Sequence, residues 1–216
     1  DLHTAANPAG AVRTQLAAPA AGPPQINTGG IISATNDPRI AAASPGSIIT
    51  IYGANLVRTF ANGLGLDANS LPIAINGTEV RIGSRQAPLI YADANQINAQ
   101  VPFETEPGNV PVVVVRSGDF SPPTVLPVTP FAPGIFFNAA GAAALRNSDF
   151  SLVSETRPAS PGEIILVFCT GLGAVTPRVP TGQIAPLGPI SLTTTNPTIT
   201  IGGRSADVVA SALTPG

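Results

Sequence analysis

The chain has 216 residues, room for one large domain or for two units of about 100 residues that each bury a core. Gly and Pro number 22 and 24, yet 44% of the residues are hydrophobic and no short repeat is present, so disorder throughout is excluded. Only 10% are charged, the net charge is −2, and Lys, Met and Trp are absent, which excludes a basic nucleic-acid surface, Schiff-base chemistry and Lys–Asn isopeptide crosslinks.

Residues 1–24 are Ala- and Pro-rich, with Pro8, Pro19, Pro23 and Pro24 and no helical apolar stripe, and are expected to form an extended arm. Beyond them, short runs rich in β-branched residues alternate with Gly, Pro, Asn and Asp clusters. The predicted strands are 47–52, 73–75, 79–82, 89–92, 96–101, 110–116 and 124–128, then 134–138, 163–169, 198–201 and 207–210. Residues 139–145 have helical composition, but Gly141 interrupts a run too short to hold a helix alone. The pattern predicts an all-β chain of two tandem immunoglobulin-like β-sandwich domains, at 25–130 and 131–216.

An internal repeat supports two units. Residues 43–56 align without gaps on 159–172, an offset of 116, with seven identities in fourteen positions. Each copy is a Pro-Gly turn that launches an apolar strand, and pairs such as Tyr52 with Phe168 keep the packing volume. A second match sets Ile75-Asn76-Gly77 on Ile201-Gly202-Gly203 at an offset of 126, so about ten residues are inserted in the second copy, expected in the Pro-rich loop 176–195.

Four motifs carry a resemblance: Ser44-Pro45-Gly46-Ser47-Ile48-Ile49-Thr50-Ile51-Tyr52-Gly53-Ala54-Asn55-Leu56, Gln96-Ile97-Asn98-Ala99-Gln100-Val101-Pro102, Ala132-Pro133-Gly134-Ile135-Phe136 and Thr170-Gly171-Leu172-Gly173. Together they resemble the Solibacter-type C-terminal domain of secreted acidobacterial proteins, an Ig-like repeat related to IPT/TIG modules. The resemblance implies a cell-surface module with no catalytic residues and no cofactor. In the family a Tyr-Gln-Val-Asn-Val-like strand follows the point that the second copy reaches at Gly216, so the second domain is expected to lack its terminal strands and to expose an apolar groove.

The arm offers a filler. Val12-Arg13-Thr14-Gln15-Leu16 resembles Ile97-Asn98-Ala99-Gln100-Val101, with Val12, Thr14 and Leu16 at the alternating positions. Donation of this strand to a groove lined by Ile164, Leu166, Phe168, Ile199, Ile201 and Val208 of the next copy propagates head to tail. A truncated chain is the alternative source of the same open edge.

The remaining motifs have plainer readings. Cys169-Thr170-Gly171-Leu172-Gly173-Ala174-Val175-Thr176 lacks the third glycine of a dinucleotide loop, and Pro177 stops any helix. His3 is the one histidine, so neither a Ser-His-Asp triad in the folded body nor a His/Cys zinc site can be assembled. Glu104, Glu106 and Asp93 read as turn charges, Asn76-Gly77 as a hairpin turn as well as a glycosylation acceptor, and Cys169 as a small strand residue. With Asp1 in place of Met and no apolar run of about 18 residues, the expected setting is extracellular, after removal of an export signal. The expected function is a non-enzymatic fibre subunit whose partners are other copies of itself, or an adhesive or carbohydrate-binding module with polysaccharide as partner; neither nucleic acid nor a membrane span is expected.

Overall fold

The computed structural model describes residues 22–58, 61–62, 70–138 and 141–215; the donor residues Val12, Thr14 and Leu16 lie outside this set. No helix occurs among the described residues. In the N-terminal half the strands are β1 (Gln25–Ser33), β2 (Ile48–Ala54), β3 (Ala61–Asn62), β4 (Thr78–Ile82), β5 (Arg85–Ala87), β6 (Leu89–Ala92), β7 (Gln96–Gln100), β8 (Gly108–Arg116), β9 (Asp119–Phe120) and β10 (Thr124–Val128). One sheet has the order β1-β2-β7-β6-β3 and the other β10-β8-β4-β5, with β9 added to β8.

Period-two alternation aims the two inner faces at each other. Ile49, Ile51, Ile97 and Ala99 from the first sheet and Val80, Ile82, Val112 and Val114 from the second all belong to one buried cluster, and each is at most 1% exposed. That cluster runs from Ala43 to Val128 and takes nothing from later residues.

Two expectations for this half change. The segment 73–75 is reduced to a single bridge between Ile75 and Thr78. Strand β1 is not among the expected strands; Asn27-Thr28-Gly29-Gly30 interrupts it, and its pairing with β2 is broken between Ile26 and Ile31, where a β-bulge takes up the extra residues. Gly29 there has φ +66°, and a Cβ on Gly30 would come within 2.5 Å of the Tyr52 carbonyl oxygen.

The C-terminal half is built from β11 (Gly134–Ile135), β12 (Phe137–Asn138), β13 (Gly141–Ala142), β14 (Ala144–Arg146), β15 (Ile165–Val167), β16 (Cys169–Thr170), β17 (Val175–Thr176), β18 (Leu192–Thr193), β19 (Ile199–Ile201) and β20 (Arg204–Ala206). Among the described residues their ladders are β11-β16, β12-β13, β14-β15, β17-β18 and β19-β20, with isolated bridges such as those from Leu145 to Leu152 and from Leu192 to Ala212. Residues 207–210, expected as a strand, form none. Eleven of the fourteen large apolar side chains exposed among the described residues follow residue 130, so this half carries strands without a closed core.

The two halves meet at one end of β2. Ile48 N–H donates to Thr170 Oγ1 at 3.0 Å, and Phe103 N–H donates to Thr181 Oγ1 at 2.9 Å. Thr181 Oγ1 in turn donates to Glu104 Oε2 at 2.8 Å, and Gly182 N–H donates to Gln100 Oε1 at 2.8 Å. Thr181 and Gly182 belong to the Pro-rich loop that the repeat offsets identify as the insertion, so the extra residues brace one half against the other.

Candidate assembly edge

The repeat extends further in three dimensions than in sequence. Along β2, Ile49, Ile51, Gly53 and Ala54 pair with Ser33, Ile31, Ile26 and Gln25. At the offset of 116, Ile165, Val167, Cys169 and Thr170 pair with Arg146, Ala144, Ile135 and Gly134. The bulge opposite Tyr52 becomes, opposite Phe168, the β12-β13 hairpin: Phe136 N–H donates to the Phe168 carbonyl at 3.0 Å, and Phe168 N–H to the Ala143 carbonyl at 2.9 Å. The second match holds as well. Asn76 and Gly77 have φ of 47° and 73°, Gly202 and Gly203 have 59° and 79°, and both pairs form two-residue hairpin turns of the I′ kind.

The two copies differ at the other edge of this strand. β2 lies between β1 and β7, with Ile48 to Tyr52 matched against Gln100 to Gln96. Among the described residues β15 has one ladder partner, β14. Ile164 and Phe168 hydrogen-bond toward the β14 side, through Asn147 N–H to the Ile164 carbonyl at 3.0 Å and Phe168 N–H to the Ala143 carbonyl. Alternation then turns the N–H and C=O groups of Ile165 and Val167 to the open side.

Parity also decides which side chains face a core. Ile49 and Ile51 are 1% and 0% exposed, so their equivalents Ile165 and Val167 occupy the inward positions, and both are half-buried. Ile164, Leu166 and Phe168 correspond to Ile48, Thr50 and Tyr52 on the other face; Ile164 is 51% and Phe168 37% exposed. Ile199 and Ile201 lie in β19, paired with β20 rather than with β15, and Val208 follows β20 outside any strand. The structure therefore divides the six acceptor residues between the β15 segment, β19 and the stretch after β20. Sequence reading missed Ile165 and Val167 because the uninterrupted apolar run 164–168 carries no alternation from which to read a face.

Polar groups hold the neighbouring elements in place. Arg146, buried beside β15, pairs through Nε with Glu163 Oε1 at 3.0 Å and donates from Nη2 to the Pro158 carbonyl at 2.6 Å, tying 157–163 to the paired side of the strand. Cys169 is half-buried, and that burial raises its thiol pKa, which keeps it a protonated packing residue. Gly171, with φ +83°, lies against the Ala132 backbone, and a Cβ on Gly173 would sit 2.6 Å from the Phe131 ring, so these glycines serve close packing rather than a phosphate cradle.

At the far end of β2, Arg116 is fully buried. Its Nη1 donates to the Asn55 carbonyl at 2.6 Å and its Nη2 to the Gly22 carbonyl at 2.9 Å. Of the carboxylates singled out in the sequence, Asp93 serves a turn, accepting bonds from Tyr91 Oη and from the Asn95 and Gln96 amides, whereas Glu104 accepts from Thr181 across the two halves. No cluster of three or more His, Cys, Asp or Glu residues able to hold a metal occurs among the described residues, and no helix among them is long and apolar enough to cross a membrane.

Three solved structures are similar to the chain. The gamma-CGTase of alkalophilic Bacillus clarkii is 13% identical, with a TM-score of 0.34, over 70% of this chain and 21% of that one. An auxiliary nutrient binding protein of Bacteroides ovatus is 16% identical, with a TM-score of 0.27, over 45% and 21%. The mixed-linkage glucan utilization protein SGBP-B of Bacteroides ovatus, solved with a mixed-linkage heptasaccharide, is 14% identical, with a TM-score of 0.32, over 91% and 46%. The chain thus spans from about a fifth to just under half the length of these proteins. No curated protein sequence matches it. The sandwich that holds the buried core, residues 31–128, matches the IPT/TIG domain and is an immunoglobulin-like fold.

Proposed function

We propose that the protein is a non-enzymatic extracellular structural subunit that polymerises by donating residues near Val12 to Leu16 to the open C-terminal half of a neighbour. The observation that carries this reading is the one-sided pairing of β15 beside its two-sided counterpart β2. An added strand satisfies the backbone groups of Ile165 and Val167, at about 0.5–1.5 kcal/mol for each hydrogen bond, and completes the burial of their side chains. Its source in this scheme is the arm, because Val12, Thr14 and Leu16 repeat the alternation of Ile97, Ala99 and Val101. The division into an arm, a closed sandwich and an open one belongs to the same proposal, as does export, which the Solibacter-type motifs support.

A second reading, an adhesive or carbohydrate-binding module, is favoured by a cleft of about 280 Å³ where the halves meet. Half-exposed Phe131 lines it together with Arg39, whose Nε and Nη2 are forked onto Asp37 at 2.8 and 2.6 Å. One experiment separates the two. The full chain is expected to form fibres visible by electron microscopy, and deletion of residues 1–21 to abolish them and leave a monomer. Fibres of unchanged form after the deletion overturn the polymer reading, and retention of the armless monomer on insoluble polysaccharide supports the second.

A further inference from the structure

Resting on the strand-donation reading, we infer that donation is intermolecular and of fixed register, with the Arg116 clamp holding the root of the arm at the end of the molecule away from its own acceptor. The register follows from the repeat. β7 sets Ile97 against Ile51, Asn98 against Thr50 and Ala99 against Ile49. Carried to the second copy, and with Val12 to Leu16 in the places of Ile97 to Val101, this sets Val12 against Val167, Arg13 against Leu166 and Thr14 against Ile165. The order is antiparallel, and Val12 and Thr14 face inward with Val167 and Ile165.

Intermolecular donation follows from where the arm is rooted. Arg116 holds the Gly22 carbonyl beside Asn55, just past the last residue of β2, whereas Thr170 meets Ile48 at its first. β2 is seven residues long, about 23 Å. The six residue steps from Leu16 to Gly22 span about 22 Å at full extension. An arm leaving from the clamp is used up in reaching the Ile48 end of its own molecule, where the other half only begins. The Leu16 position faces Glu163, seven residues before Thr170. Donation into the same edge of a neighbour stacked end to end is a heterologous, self-propagating contact.

The test is a disulfide across the inferred register, in the full chain with Cys169→Ser. Arg13 and Leu166 occupy a non-hydrogen-bonded pair, with Cα atoms about 4.5 Å apart, within disulfide range. Arg13→Cys chains mixed with Leu166→Cys chains and oxidised are expected to give a non-reducing band at twice the monomer mass. Arg13→Cys chains that retain native Cys169, three residues out of register, are expected to give about tenfold less crosslink. A cyclised monomer from the double variant, with no crosslink between mixed chains, overturns the intermolecular inference while leaving strand donation intact. Fibres that form without either product overturn the register, and fibres that also persist after deletion of residues 1–21 overturn donation. The neighbouring pair Gln15→Cys with Ile164→Cys repeats the measurement if the first pair blocks assembly.

Discussion

At the scale of single residues, several charges of this sparsely charged chain set local geometry. Asp93 is the best example: its carboxylate accepts the Tyr91 hydroxyl and the Asn95 and Gln96 amides, each at 2.7 Å, and so closes the turn from β6 into β7. Partial burial raises its pKa, but the three bonds outweigh burial and hold it below the ordinary carboxylate value. A carboxylate depressed in the folded state contributes stability that is complete above the unfolded value of about 3.9 and is lost as pH falls through the folded value. Asp93→Asn is expected to cost about 1 kcal/mol near neutral pH. The difference from wild type in urea midpoint should then shrink as the pH falls below the unfolded carboxylate value of about 3.9 and through the lower folded one. A gap that stays constant with pH would mean the carboxylate charge contributes nothing to that turn.

At the scale of elements, the repeat provides an internal comparison. Ile49 and Ile165 stand at equivalent positions, yet one is 1% exposed between two sheets and the other is half-buried on a strand with one neighbour. The same substitution should therefore have unequal effects. Ile49→Ala is expected to cost about 2–5 kcal/mol, the usual range for a buried isoleucine. Ile165→Ala is expected to cost less than about 1 kcal/mol in the monomer. Denaturant unfolding of the two variants checks this, and equal costs would show that the C-terminal half buries Ile165 in solution. The bulge at Gly29-Gly30 and the β12-β13 hairpin make a related point. The same break in pairing, opposite Tyr52 and opposite Phe168, is absorbed by a few residues in one copy and by a whole hairpin in the other, which hides the equivalence from any alignment by sequence.

At the scale of the whole molecule, the buried cluster lies between Ala43 and Val128 while most exposed apolar side chains among the described residues follow residue 130, and protection from hydrogen exchange should follow that division. In the monomer the amides of Ile49 and Ile51 are expected to exchange only on global unfolding, while those of Ile165 and Val167, turned to the open edge, exchange freely. On assembly the latter two should gain at least about 100-fold in protection. Fibres in which Ile165 and Val167 remain unprotected would place the contact elsewhere.

How much of this was legible in the sequence follows from the range of each interaction. The all-β class, the strands of the N-terminal sandwich, the Asn76-Gly77 turn and the repeat itself rest on local chemistry: β-branched runs, Pro-Gly turns and glycines at positive φ, all written in neighbouring residues. The inward face of β15, the strand hidden in Gln25–Ser33, the brace formed by Thr181 and Gly182, and the Arg116 clamp on Gly22 were decided only by the tertiary structure. A run of consecutive apolar residues has no face until a partner strand defines one. A buried arginine has no role until the fold delivers carbonyls some 60 and 90 positions away to its guanidinium.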